Sequence, residues 1–99
     1  MEALSGPLAR LLRDLGLERQ LLGWRAVEEW PRWVGERVAR HSRAVGFHDG
    51  TLIVEVEGSA WMQELGFLKR EIVRTLNERL GDSLVRDVRF TGPRGGTLR

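Results

Sequence analysis

Leu8, Leu11, Leu12 and Leu15 recur three and four residues apart, which puts them on one stripe of a helix running from about Pro7 to Leu15. Ser5 stands where a cap belongs, Pro7 suits a first turn, and Gly16 suits the left-handed residue past the end. Arg10, Arg13 and Asp14 fall on the other side. A second helix is predicted from about Leu17 to Val34, with Leu17, Leu21, Trp24, Val27 and Val34 on its stripe and Trp30 and Trp33 flanking it. Pro31 lacks a backbone donor and crowds the preceding turn, so a kink or break is expected near Trp30. Gly35 is the natural terminator.

The pattern then changes period. Arg43 to His48 and Thr51 to Glu57 read as strands joined by Asp49-Gly50, a pair that favours the primed turns of antiparallel hairpins. Leu52, Val54 and Val56 take one face of the second strand, and Thr51, Ile53, Glu55 and Glu57 the largely wet one. Gly58 breaks the strand, and Ser59 is expected to cap a third helix reaching about Leu80, with Gly81 as its stop. Trp61, Leu65, Leu68, Ile72, Leu76 and Leu80 form its stripe. Leu84 to Thr91 alternates as a last strand, with Val88 and Phe90 on one face.

The order α-α-β-β-α-β predicts a single α+β domain over residues 1–91: a three-stranded sheet covered by helices. Residues 92–99 read as a Gly-rich, disordered tail. At 99 residues with 41% hydrophobic content there is enough chain for one core. Cysteine is absent, so disulfides, thiolate metal sites and thiol nucleophiles are excluded. The start has neither a basic segment nor an apolar run, and nothing approaches the ~18 apolar residues of a membrane span. A small soluble cytoplasmic domain with no membrane association is the expectation.

Catalytic chemistry finds little support. His41 and His48 have no third group at ligand spacing, Asp49 is explained by its turn and Ser59 by its cap. Glu28 and Glu29 diverge by about 100° on a helix. No Gly-rich phosphate loop occurs, and the reading is of a protein that is not an enzyme, with no cofactor, metal or small-molecule substrate.

Charge redirects attention to binding. Sixteen Lys+Arg oppose fourteen Asp+Glu for a net +2, and Lys69 is the single lysine. Guanidinium pairs with phosphate and stacks on bases, so an Arg-dominated surface suits nucleic acid. Arg32, Arg37, Arg40 and Arg43 form one group, and Lys69, Arg70 and Arg74 a second on the polar side of the third helix. The expectation is that both border one groove for single strands. Trp61 is expected in the core, while Trp30 and Trp33 are candidate anchors for a protein partner.

Trp30-Pro31-Arg32-Trp33-Val34-Gly35, His41-Ser42, Asp49-Gly50-Thr51-Leu52-Ile53-Val54, Ser59-Ala60-Trp61-Met62-Gln63-Glu64-Leu65, Leu76-Asn77-Glu78-Arg79-Leu80-Gly81 and Val85-Arg86-Asp87-Val88-Arg89-Phe90 stand in one order. That ordered set resembles the DciA family of bacterial proteins over about Leu8 to Thr91, although Ala44 stands where many members carry Pro. The resemblance implies a K-homology-like fold without the Gly-x-x-Gly loop. It also implies partnership with the replicative DnaB-type helicase and assistance in loading it onto single-stranded DNA, without nucleotide hydrolysis. The alternatives are a stand-alone K-homology-like RNA-binding domain and a protein-interaction module whose arginines only solvate it.

Overall fold

The computed structural model of the chain describes residues 6–93. Its elements are α1 (Pro7–Asp14), α2 (Glu18–Val34), α3 (Glu36–Ala39), β1 (Ser42–His48), β2 (Thr51–Val56), α4 (Ser59–Phe67), α5 (Lys69–Leu80) and β3 (Asp87–Thr91). The order is the α-α-β-β-α-β of the sequence pattern, with a short α3 added after Gly35 and the third helix divided in two. The Ser5 cap and the tail from residue 94 onward lie outside the described residues.

Asp49 and Gly50 both take positive φ, 53° and 80°, as a primed two-residue turn demands. They join β1 to β2 antiparallel, while β3 adds parallel to the far side of β2 after the α4–α5 crossover. The register shifts between Ala44 and Gly46. Strict alternation from Ser42 would turn Phe47 away from the core; the extra residue, Val45, returns it opposite Leu52. Phe47 thereby joins Leu52, Val54, Val56 and Val88 in the core.

The helices close over that face. α2 supplies Ala26 and Trp30, and α4 and α5 supply Leu65, Ile72 and Leu76. Gly23 is buried in α2 because a Cβ there would overlap the Phe47 ring. The Trp30 indole N–H donates to Ser42 Oγ at 3.0 Å, and Ser42 Oγ–H donates to the Val38 carbonyl at 2.8 Å, which ties α2, α3 and β1 together. Asn77 donates to the Val85 carbonyl at 2.9 Å and accepts from the Val85 N–H at 2.8 Å.

Several expectations change. α2 runs through Pro31 to Val34 without a break at Trp30. Pro31 lies on the solvent side, where water can take the carbonyl its missing N–H leaves, and core packing of Trp30 holds the turn. The third helix is interrupted at Leu68, just past Gly66, a poor helix former. Gly58, not Ser59, is the residue before α4, and no side chain caps it. The last strand begins at Asp87; Leu84 and Val85 are buried in its lead-in, fastened by Asn77. Glu55, expected on a wet face, is buried, and Arg43 on the neighbouring strand meets it at 3.1 Å. The leucine stripe of α1 stays outside: Ala9 is the buried residue there, while Leu8, Leu11 and Leu15 are exposed.

Candidate functional site

The two cationic groups do not share a depression: from the first only Arg37 lines one, and Lys69, Arg70 and Arg74 line another. Within the first, Arg32 is held by Glu29 at 3.1 Å, Arg40 by Glu36 at 3.3 Å and Arg43 by Glu55 at 3.1 Å. Arg37 instead sits over Trp61, 5.2 Å from its ring centroid. These two line a shallow hollow with Ala60 and Glu64. Trp61, expected in the core, is half-buried: it packs against the core from its rim and shows its other side at this hollow. His41 stacks on it at 4.6 Å with 16° between the planes, and His41 Nδ1 lies 3.7 Å from Glu57.

The second group clusters around the start and outer side of α5. Lys69 is paired with Asp87 at 3.4 Å. Among the described residues, Arg70 and Arg74 have no carboxylate within ion-pair distance. Lys69, Arg70 and Arg74 surround a depression of about 390 Å³ with Val73, Arg86 and Asp87. Two cations at the first positions of α5 add to the positive end of the helix dipole, an arrangement unfavourable to the helix and attractive to anions.

A third surface is of a different kind. A groove of about 180 Å³ between the end of α2, α3 and α5 is lined by Trp33, Val34, Val38, Leu68, Glu71, Ile72 and Thr75. None of the candidate arginines lines it, so the single groove expected from sequence is replaced here by an apolar one. Trp33 borders it half-buried, with Arg25 5.8 Å from its ring centroid. Trp30 does not serve as a surface anchor: at 1% exposure, with its indole N–H bonded inside, it has nothing to offer a partner. Trp24, Leu21 and Leu17 are exposed, beyond the leucines of α1.

Two residues of the α5 corner escaped the sequence reading. Arg86 precedes β3 and donates to the Asp49 carbonyl at 2.6 Å, so its place beside α5 depends on tertiary folding. Phe67, the last residue of α4, had a signal: an aromatic off the Leu65–Leu68–Ile72 stripe, beside Lys69 and Arg70. A literal Gly-x-x-Gly string does occur, at residues 92–95, but it follows β3 in the chain. The helix–helix junction reads Gly66-Phe67-Leu68-Lys69.

Among the described residues no group of three or more His, Asp or Glu is placed to hold a metal ion, and no helix is long and apolar enough to cross a membrane. The family model described as Dna[CI] antecedent, DciA, matches residues 3–90. The chain belongs to the DciA family. Its DciA-family match runs from before α1 to Phe90 in β3, so both cationic hollows, the apolar groove and the exposed leucines fall inside it. A UPF0232 protein of Mycolicibacterium paratuberculosis is 31% identical over 94% of this chain and 54% of its own length. Another from Corynebacterium glutamicum is 24% identical over 99% of this chain and 55% of its own. A third, from Rhodococcus jostii, is 34% identical over 71% of this chain. This DciA-family chain spans about half the length of the curated relatives it matches.

Proposed function

We propose that this domain is a DNA replication accessory factor that binds the replicative DnaB-type helicase and assists its loading onto single-stranded DNA, touching the strand weakly itself. The observation that carries the reading is membership of the DciA family across residues 3–90. The surface is consistent with work by adhesion. It offers an apolar groove at Trp33 for a protein, an Arg37–Trp61 hollow, and a cationic corner at Arg70 and Arg74 for phosphates. A net charge of +2 keeps the strand contact weak and salt-sensitive. Loading follows if the domain favours the helicase conformation that admits a strand, because a ligand shifts an equilibrium by its differential affinity for the two states.

The test uses purified components. The chain is expected to co-elute with the hexameric helicase in size-exclusion chromatography, and Trp33→Ala to weaken that co-elution without unfolding the domain. Separate elution of the wild-type chain at micromolar concentrations would remove the helicase half of the proposal. Competition between matched DNA and RNA oligonucleotides tests the strand half; a strong RNA preference would favour an RNA-binding domain instead.

A further inference from the structure

Phe67 is 78% exposed, more than any other described large apolar side chain. It ends α4 at the Leu68 interruption, and Lys69 and Arg70 open α5 directly after it. Three peptide units separate Phe67 from Arg70, so their Cα atoms lie no more than about 11 Å apart. Burial cannot account for the residue, since the core stripe of this segment passes through Leu65 and Ile72.

Its surroundings choose between the occupants of such a site. An apolar docking surface for a protein needs apolar neighbours; the exposed positions within four residues of Phe67 are Gln63, Glu64, Gly66, Arg70 and Glu71, while Leu68 lines the separate groove at Trp33. Of the nearby acids, Glu64 lines the Arg37–Trp61 hollow, Glu71 lines the apolar groove at Trp33, and Asp87, on the rim of the cationic depression, is paired with Lys69 at 3.4 Å. The cations Arg70, Arg74 and Arg86 instead gather on one depression at the same end of α5. A bare aromatic ring beside guanidinium groups that no carboxylate engages among the described residues, Arg86 keeping its bond to the Asp49 carbonyl, matches single-stranded nucleic acid, which presents one flat base and one phosphate per unit.

We propose that Phe67 is a base-stacking residue of a single-strand site whose phosphates are held by Arg70, Arg74 and Arg86. The inference rests on the strand-contact half of the proposed function and gives it a location. Stacking is indifferent to base identity, so the site tolerates any sequence. Three phosphate contacts give a slope of log affinity against log salt of about −2.

Fluorescence anisotropy with a labelled oligo-dT, titrated with the full chain across a salt series, tests it. Phe67→Ala is expected to weaken binding about 5- to 150-fold with the salt slope unchanged, and Phe67→Trp to restore it. Arg70→Ala with Arg74→Ala is expected to flatten the slope by about 1.4. An unaltered thermal midpoint for Phe67→Ala excludes unfolding as the cause. Undiminished affinity in Phe67→Ala beside a flattened arginine variant overturns the stacking role and leaves the strand reading standing. Loss of helicase co-elution in Phe67→Ala with DNA affinity intact overturns it in favour of a protein contact. No binding by the wild-type chain at low salt overturns both.

Discussion

The Trp30 indole N–H finds its acceptor inside the core, in the hydroxyl of Ser42, and that hydroxyl spends its own proton on the Val38 carbonyl. Ser42→Ala removes the acceptor and strands a buried donor, so a loss of about 1–3 kcal/mol is expected in urea unfolding. Gly23→Ala improves helix propensity by up to about 1 kcal/mol, but the added methyl meets the Phe47 ring. The same measurement is expected to show net destabilisation, and a stabilised Gly23→Ala would contradict the close approach of α2 to β1. Trp30 and Trp33 illustrate what a sequence leaves open at this scale. Three residues apart, both flank the predicted stripe, and their fates diverge because Ser42 sits twelve residues away on a strand whose position a helical period does not encode. Trp61 is the converse: its spacing matches the buried stripe, yet one turn into α4 it lies at the rim, where His41 and Arg37 cover it.

Elements are legible where the chain punctuates itself and illegible where the sheet intervenes. Asp49-Gly50, Gly35 and Gly81 all mark real boundaries, because each occupies a positive-φ position that few other residues accept. The bulge at Val45, which brings Phe47 back to the core, has only Gly46 inside the strand as its mark, and the pairing with β2 is what locates it. The lead-in to β3 is similar. Leu84 and Val85 look like strand, but the Val85 backbone is taken by Asn77 instead of a neighbouring strand. Asn77→Ala is therefore expected to cost about 1–3 kcal/mol and to raise the hydrogen-exchange rate of the Val85 amide. Unchanged protection at that amide would show that the lead-in is held by burial alone.

For the whole molecule, a small net charge conceals an uneven distribution. Arg32, Arg40 and Arg43 are matched by acids on their own or adjoining elements, and Arg70 and Arg74 are not. Composition and spacing identify both groups; they do not tell paired cations from free ones, because Glu55 reaches Arg43 only through strand register. Replacing Arg40 and Arg43 by Ala is accordingly expected to leave the salt slope of single-strand binding almost unchanged, in contrast to Arg70 and Arg74. Equal effects from the two pairs would extend the strand contact beyond the α5 corner to the α3–β1 surface. The exposed α1 leucines lie on another element from the α5 corner, and the Trp33 groove is lined by Glu71, Ile72 and Thr75 of α5 where the corner is lined by Lys69, Arg70, Val73 and Arg74, which leaves apolar surface for a protein while a strand is held. The most direct test counts replicative helicase retained on single-stranded DNA circles after a salt wash, with and without the chain. More helicase is expected to be retained when the chain is present, and less of it with Arg70→Ala and Arg74→Ala together; an equal amount with and without the chain would contradict a loading role.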